Sequence, residues 1–283
     1  MLAYLVLLHR YPNQLSRLFR AIYHPANFYW IHVDRKSEPS IHDSVRRHVQ
    51  GYPNVSIAES RKVVWGGYSM VEATLDGIRG MLSKGDSWQW LINLSGQDFP
   101  LRSQTAIMEF LSMSTCSGYM QFGEQAKERP GTLPRIHYYY LELGNCVFRL
   151  PITQRFPSDV VPYIGSQWFM LSRPVCEFII GSGTLNRFES LFRHTLVPDE
   201  SFFQTMVLNS DYSKSIVNDN RRLIVWAPIS RIKKRPRVLT HADIPLISSS
   251  TDLFARKFDE TVDSSPLDYL EAVLQRTGAN LST

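Results

Sequence analysis

A candidate residue for acid–base catalysis lies in the segment Pro198-Asp199-Glu200-Ser201-Phe202. In this segment two acids precede aromatic residues. Proline and acidic residues are typical of a helix start, so a helix is predicted to begin within residues 197–205. A carboxylate at such a position can act as a general base on an alcohol. Glu200 is therefore a candidate catalytic residue, and a helix-capping acid with no further role is the alternative.

Two further acids directly follow short apolar segments that are predicted strands. Asp34 follows residues 28–33, and Asp98 lies just past residues 88–94. In open α/β sheets, ligands bind outside the carboxyl ends of the strands, so both acids are placed where a ligand would bind. Asp34 can accept hydrogen bonds from a base or a ribose. The alternatives are local: Asp34 caps a turn, and Asp98 caps a helix that starts near Gln104.

Positive charge follows the last predicted strands at Arg235, Arg237, Arg256 and Lys257. Arginine and lysine side chains stabilise the charge that develops on a departing phosphate, although a solvated basic face is the alternative. No Asp-x-Asp pair occurs in the chain, which removes a usual means of chelating a divalent metal against a diphosphate. If a nucleotide diphosphate is the leaving group, fixed cations must act in place of the metal, and no cofactor is expected.

Several other classes of function lack their sequence signatures. The chain contains no G-x-G-x-x-G, no P-loop and no G-x-S-x-G nucleophile segment. Its net charge of +5 favours anionic partners such as a nucleotide diphosphate, an acidic glycan or a membrane surface. Because no RNA- or DNA-binding motif accompanies that charge, nucleic acid is not expected as a partner.

The predicted elements form one α/β domain over residues 1–283. Residues 2–8, 14–22 and 28–33 are predicted as strand, helix and strand, the opening of a doubly wound nucleotide-binding fold. Residues 63–67 are predicted to run from a strand into a tight glycine turn. Residues 123–157 show no regular helix or strand pattern. They are either an acceptor-binding loop or a surface hairpin with one packed aromatic face.

Six segments occur in an order that resembles one known family. They read Arg20-Ala21-Ile22-Tyr23-His24-Pro25, Phe28-Tyr29-Trp30-Ile31-His32-Val33-Asp34, Val64-Trp65-Gly66-Gly67, Ile92-Asn93-Leu94-Ser95-Gly96-Gln97-Asp98-Phe99-Pro100, Pro198-Asp199-Glu200-Ser201-Phe202-Phe203-Gln204-Thr205 and Phe254-Ala255-Arg256-Lys257-Phe258-Asp259. Together they resemble the core-2/I-branching β-1,6-N-acetylglucosaminyltransferases and the peptide O-xylosyltransferases, which share one family. The resemblance runs from Leu2 to about Asp263.

The resemblance implies a GT-A fold, which is a Rossmann-like mixed sheet flanked by helices. It also implies a UDP-sugar donor, inversion at the anomeric carbon and no obligatory metal. By the same resemblance the general base is Glu200, and the diphosphate clamp is Lys257 with Arg235 or Arg237.

Further site residues are implied by the resemblance on both sides of the reaction. Val33 and Asp34 would hold the uridine, and Asp98 would line the donor site. Trp226 and Gln167 would line the acceptor site, where a hydroxyl of a glycan or glycolipid receives the sugar.

The chain departs from each subgroup of this family. The xylosyltransferases carry Asp in a Gly-Ser-Asp-Trp-Phe segment, where this chain has Gln167. This loss shifts the base to Glu200, and N-acetylglucosamine is the sugar we expect to be moved. The alternatives are transfer of xylose from UDP-xylose to a peptide or glycan, and a non-catalytic module that binds a glycan or a nucleotide.

The cysteines and the apolar segments indicate the cellular compartment in which the protein is expected. Cys116, Cys146 and Cys176 are odd in number and widely spaced, so we expect buried thiols in a reducing compartment. No apolar stretch reaches the length of a membrane span. Animal members of the family carry many disulfides and a Golgi anchor, so the sequence predicts a bacterial-type, cytoplasmic relative. Peripheral contact with a membrane is left open by the basic charge.

Overall fold

The computed structural model describes residues 1–228 and 234–279. Its strands are β1 (Leu2–Leu8), β2 (Phe28–Val33), β3 (Val55–Ile57), β4 (Trp90–Ser95), β5 (Asp98–Pro100), β6 (Gly118–Glu124), β7 (Tyr138–Leu143), β8 (Cys146–Thr153), β9 (Tyr163–Ser172), β10 (Ile216–Val217), β11 (Arg222–Ile224), β12 (Trp226–Pro228), β13 (Lys234–Pro236) and β14 (Phe254–Arg256).

The helices of the described residues are α1 (Pro12–Ile22), α2 (Pro39–Val49), α3 (Ser69–Leu82), α4 (Gln104–Ser112), α5 (Gln125–Glu128), α6 (Pro134–His137), α7 (Arg173–Ile180), α8 (Ser182–Phe192), α9 (Phe202–Leu208), α10 (Ile244–Ser249) and α11 (Ser265–Ala279). Short 3₁₀ turns add Pro130–Thr132, Pro198–Glu200, Asp211–Ser215 and His241–Asp243. None of the helices in residues 1–228 and 234–279 is long and apolar enough to cross a bilayer.

The central sheet has the strand order β3-β2-β1-β4-β9-β6-β10. Strands β3, β2, β1 and β4 are parallel, whereas β9 runs antiparallel to both of its neighbours, β4 and β6. A second, short sheet joins β11, β14 and β5, and the pairs β7–β8 and β12–β13 are antiparallel. The mixed α/β sheet flanked by helices that the sequence predicts is therefore confirmed.

Alternate side chains of the central strands enter apolar cores on the two faces of the sheet. Tyr4 and Val6 of β1 pack in the core that contains α1, whereas Ala3 packs in the core that contains α3. Helices cover both faces, so β1 is buried almost throughout. This burial explains why β1 reads as a continuous apolar run in the sequence.

Two sequence predictions at the periphery of the sheet have different outcomes. The strand predicted within residues 63–67 is wrong, because Val64 N–H donates to Ser69 Oγ (2.8 Å) instead of joining a ladder. The glycine turn that was predicted to follow is present, with Gly66 at φ +79°. Only glycine adopts this backbone conformation at little cost.

The hairpin alternative for residues 123–157 is the one that the structure shows. Strand β7 is held on the main body by Tyr140, whose N–H donates to His194 O (2.9 Å), and by the Glu142 carboxylate, which accepts from Ser69 N–H (3.2 Å). Strand β8 is mostly exposed. The proposed place of this section on the acceptor side stays a prediction.

The three thiols differ in exposure. Cys176 is buried, as expected, and Cys116 is partly buried. The expectation is wrong for Cys146, which is exposed because it begins β8 directly after the turn of the hairpin.

Candidate active site

The carboxyl ends of β1, β2 and β4 lie level at one edge of the central sheet. Leu8 of β1 pairs with Val33 of β2, and Leu7 pairs with Ser95 of β4. Asp34 follows β2 directly, and its backbone N–H donates to Leu8 O at 2.8 Å. The polar residues that follow these strands therefore converge where open α/β sheets bind their ligands.

The Asp34 carboxylate already binds groups of its own turn and of the segment that contains Val63. Oδ1 accepts from the backbone N–H groups of Lys36 (2.9 Å) and Val63 (3.3 Å), and Lys36 Nζ lies 3.8 Å from Oδ2. The turn-capping alternative is therefore present in the structure, and a ribose contact would add to it. Val33 is 1 % exposed as a whole residue, so it offers a nucleotide almost no accessible surface in this structure. The uridine-binding roles of both residues stay predictions.

Asp98 is fully buried and lies opposite Arg256 in the pairing of β5 with β14. Its Oδ2 accepts from the backbone N–H of Ser95 (2.7 Å) and from the Ser95 hydroxyl. Its Oδ1 lies 3.6 Å from Arg222 Nε and 3.5 Å from Arg256 Nε. In this conformation Asp98 can act on a ligand only through the two arginines.

The alternative that Asp98 caps a helix near Gln104 is wrong. Ser103 occupies the N-cap of α4, and its Oγ accepts from the backbone N–H of Ala106 at 3.3 Å. Serine is a favoured capping residue because its short side chain reaches this N–H. The Asp98 carboxylate is therefore available for ion pairs with Arg222 and Arg256.

Several cations meet at the same edge of the sheet. The pKa of Lys257 is lowered by partial burial and by the charges of Arg10, Arg256 and Arg235. The pKa of His9 is likewise lowered, first by burial and then by Arg10. Like charges at this range repel one another, and a bound diphosphate would relieve that repulsion.

Arg235 and Arg237 have different surroundings. Arg237 donates from both terminal nitrogens to the Asp243 carboxylate, with 2.7 Å to Oδ2, and this pairing raises the pKa of Arg237. Arg235 is exposed on β13, and its charge acts on Lys257. The structure therefore places Arg235 beside the other cations and Arg237 in an internal ion pair. The sequence also predicts a basic loop over residues 230–237, of which residues 230–233 lie outside the described residues.

Glu200 ends the 3₁₀ turn Pro198–Glu200, directly before α9. The helix predicted to begin within residues 197–205 begins at Phe202, so Glu200 lies before it, in a turn that follows the left-handed backbone of Val197 at φ +53°. The Glu200 side chain is 32 % exposed, and Arg135 Nη1 donates to its Oε2 at 2.7 Å. Among the described residues Oε1 has no hydrogen-bond donor, so this oxygen can receive a proton.

The neighbouring carboxyl, that of Asp199, is buried. Burial, followed by the charge of Glu200, raises the pKa of Asp199 to about 7. Its Oδ1 has no hydrogen-bond partner in the described part of the chain. Below pH 7 a proton on Asp199 therefore avoids a buried negative charge next to Glu200.

Strand β9 joins the Glu200 turn to the cations. The turn packs against β9, and Gln204 Nε2 of the following helix donates to Ser166 O at 2.6 Å. Two residues further along β9, the Trp168 ring carries the guanidinium of Arg256, 4.2 Å from the ring centroid. Strand β9 therefore contacts both the turn that carries Glu200 and, through Trp168, the Arg256 guanidinium.

The two predicted acceptor residues are both accessible. Gln167 is partly exposed on β9, and its backbone carbonyl accepts from Asn93 Nδ2 at 2.8 Å. Trp226 is 51 % exposed on β12, in register with Pro236 of β13. Their contacts with an acceptor stay predictions.

Sequence reasoning did not single out His9, Arg10, Trp168 or Arg222 as site residues. His9 and Arg10 directly follow β1, so the strand-end argument that selected Asp34 would have selected them too. No local signal marks Arg222, because its guanidinium binds the carbonyl of Asn93 across 129 residues of sequence.

The fold and the site define an α/β protein with a cluster of cations at the carboxyl edge of its sheet. The family model described as Core-2/I-Branching enzyme matches residues 2–248. The chain belongs to this family, which confirms the resemblance carried by the six sequence segments.

Individual relatives are similar over most of this chain. Human xylosyltransferase 2 is 30 % identical over an alignment of 291 positions, which covers 95 % of this chain and 33 % of that protein. A xylosyltransferase of Ciona intestinalis is 28 % identical over an alignment of 286 positions, which covers 95 % of this chain and 34 % of the relative. Rat xylosyltransferase 1 is 31 % identical over 80 % of this chain and 28 % of its own length. The chain thus spans about a third of the length of these relatives.

Solved structures show a more distant likeness. The galactosyltransferase LgtC, in complex with donor and acceptor sugar analogues, aligns with a TM-score of 0.47 and 9 % identity over 91 % of this chain and 87 % of its own. Mouse xyloside xylosyltransferase 1 aligns with a TM-score of 0.42 and 10 % identity over 90 % and 97 % of the two chains. Similarities of this size support no conclusion about function.

Proposed function

We propose that this chain is a GT-A-type inverting glycosyltransferase that moves a sugar from a UDP-sugar to an acceptor hydroxyl without a metal. Membership of the Core-2/I-branching enzyme family and the xylosyltransferase relatives support sugar transfer. The observation that carries the mechanism is that one strand, β9, packs against the Glu200 turn and also bears Trp168, whose ring lies under the Arg256 guanidinium.

The reaction is a single displacement. Glu200 takes the proton of the acceptor hydroxyl while the hydroxyl oxygen forms a bond to C1 of the sugar. The bond between C1 and the diphosphate oxygen breaks on the opposite face, and UDP leaves with the electron pair. Arg135 holds Glu200 in place by its hydrogen bond to Oε2. The transition state has the oxocarbenium character known from inverting glycosidases.

The cations stabilise the leaving group. Arg10, Arg256 and Arg235 each act electrostatically on Lys257, so their charges converge on the region around this lysine. Fixed positive charges lower the energy of a transition state in which negative charge grows on the diphosphate. The lowered pKa of Lys257 indicates that its positive charge is unfavourable beside the arginines, and a bound anion would stabilise it.

The relatives favour xylose over N-acetylglucosamine as the transferred sugar. The curated relatives named above are xylosyltransferases, with 28 % to 31 % identity to this chain. Gln167 differs from the Asp that the xylosyltransferase pattern carries, so the donor must be tested directly. UDP-xylose and UDP-N-acetylglucosamine are therefore the two donors to compare.

Release of UDP from these donors tests the proposal. The purified chain is mixed with UDP-xylose or UDP-N-acetylglucosamine, with and without a panel of glycan and peptide acceptors, and UDP is quantified. We expect release from one donor, faster with an acceptor, and a raised donor KM in Lys257→Ala. Lys84→Ala, an exposed lysine on the loop after α3, is the matched control. UDP binding with no release from either donor would contradict the proposal and favour a non-catalytic binding module.

A further inference from the structure

Two arginines share one carboxylate in the interior of the site. Arg222 Nε and Arg256 Nε lie 3.6 and 3.5 Å from the same oxygen, Asp98 Oδ1. The side chains of Arg222 and Asp98 have no solvent exposure, and Arg256 retains 13 %. This cluster, Asp98–Arg222–Arg256, therefore has one uncompensated positive charge, because one carboxylate faces two guanidinium groups.

Arg222 receives no second carboxylate among the described residues. Its Nη1 donates to Asn220 O (3.1 Å) and its Nη2 to Asn93 O, both of which are neutral carbonyls. Asp252 acts on Arg222 electrostatically, but its carboxylate accepts from the Ser250 hydroxyl at 2.9 Å. Burial lowers the pKa of Arg222 to about 10, which shows that its charge is held at a free-energy cost.

Arg256 is the member of the cluster that a ligand can reach. Its guanidinium lies over the Trp168 ring at 4.2 Å, and its buried Nε has no hydrogen-bond partner in the described part of the chain. Lys257, the next residue, is close enough for Arg256 to lower its pKa. A buried cation that shares its one carboxylate with a second arginine is costly unless an anion also binds it.

We propose that the Asp98–Arg222–Arg256 cluster is a charge-unbalanced receptor for a diphosphate, and that Arg222 strengthens anion binding without touching the anion. This inference rests on the proposed function only for the identity of the diphosphate. Arg222 is a positioning residue in this scheme. It competes with Arg256 for Asp98, so the charge of Arg256 stays available to the ligand.

The low polarity of the site makes this indirect effect large. Charges a few ångströms apart interact several times more strongly in a protein interior than in water, and salt screens them less. Without Arg222, Asp98 would pair with Arg256 alone and neutralise it. Without Asp98, two cations would remain buried and unpaired, so the free protein would be less stable and a bound anion would stabilise it more.

Binding of inorganic pyrophosphate, measured by calorimetry, tests the inference with probes that need no turnover. We expect Arg222→Met to weaken pyrophosphate and UDP binding by about tenfold or more, and to leave uridine binding unchanged. Arg222→Lys restores the charge and should recover most of the affinity. Arg221→Met is the matched control, because Arg221 pairs with Asp219 (3.3 Å) outside the cluster.

A second variant covers the case in which Arg222→Met does not fold. Asp98→Asn should lower the melting temperature of the free protein, and pyrophosphate should raise that temperature by more than it does in the wild type. An equal shift in both proteins would overturn the inference, as would wild-type pyrophosphate affinity in Arg222→Met. Loss of uridine binding together with pyrophosphate binding would show a merely structural role and overturn it as well. If the Arg222 effect on pyrophosphate is present but no UDP-sugar is used, the proposed function fails and the inference stands.

Discussion

Arg135 Nη1 donates to Glu200 Oε2 at 2.7 Å, and this contact ties the short helix α6 to the turn that precedes α9. The backbone reinforces it, since Leu196 N–H donates to Arg135 O at 2.9 Å. Both side chains are about one third exposed, so the pair lies at the surface of the site and not in the core. Arg135 therefore fixes one oxygen of Glu200 and leaves the other for a proton.

Replacing Arg135 by methionine should slow transfer without weakening UDP binding. A charge-assisted hydrogen bond contributes about 1.5–3 kcal/mol, so we expect kcat to fall by roughly 10- to 100-fold. Steady-state kinetics and UDP titration give the two quantities. Arg187→Met is the control, because Arg187 pairs with the exposed Asp159 at 2.6 Å. Unchanged kcat in Arg135→Met would show that the pair has no role in catalysis.

Asp199 makes the stability of the protein depend on pH. Burial raises the pKa of Asp199 from 3.8 to about 7. Between those values the folded protein binds this proton and the unfolded chain does not, so the free energy of unfolding falls as pH rises through this window. Above pH 7 the buried charge costs on the order of 4 kcal/mol.

The variant Asp199→Asn should remove that dependence, because an amide does not ionise. Urea denaturation at pH 5 and pH 8 measures it, and Asp199→Asn should be more stable than the wild type at pH 8. Asp159→Asn is the control, since the pKa of Asp159 is lowered by Arg187 and Asp159 is exposed. The same loss of stability from pH 5 to pH 8 in Asp199→Asn and the wild type would refute the assignment.

Arg235→Ala and Arg237→Ala should have different effects. Arg235 is exposed beside Lys257, so its loss should raise the donor KM several-fold and leave the melting temperature unchanged. Arg237 pairs with Asp243, so its loss should lower the melting temperature by a few degrees and change the donor KM little. Steady-state kinetics and thermal denaturation of both variants measure the donor KM and the melting temperature. The reverse pattern would place Arg237, and not Arg235, at the diphosphate.

Transfer should not need a divalent metal. In the described residues no group of three or more His, Cys, Asp or Glu side chains could hold a metal ion. Metal-independent transfer stays a prediction, and the cations at Arg235, Arg256 and Lys257 are its physical basis. Activity after treatment with EDTA should equal the untreated rate. Strong inhibition by EDTA that Mn²⁺ or Mg²⁺ reverses would contradict this prediction.

Local patterns in the sequence were sufficient for the central strands and for the end of β2. An apolar run followed by a polar residue is a short-range signal, so β1, β2 and the place of Asp34 were predictable. The partners of Asp98 were not, since Arg222 and Arg256 meet it only through the short sheet in which β14 pairs with both β5 and β11. The same limit applied to Arg235 and Arg237, which are two residues apart and differ only in their tertiary contacts.

The start of α9 shows a second limit of local patterns. Proline and acids are typical of both a helix start and a 3₁₀ turn, and tertiary packing against β9 selects the turn for Pro198–Glu200. Glu200 is consequently held by Arg135 of another element and not by the helix end. The residue was predictable, whereas its partner was not.

The most direct test of the account is the rate of sugar transfer by Glu200→Gln, with UDP affinity measured on the same protein. The amide keeps the size of the side chain but cannot take the acceptor proton, so transfer should fall by roughly 100- to 10,000-fold while UDP binds as in the wild type. Glu177→Gln, which alters an exposed ion pair with Arg173, is the matched control. Transfer at the wild-type rate by Glu200→Gln would contradict the role of Glu200 as the general base.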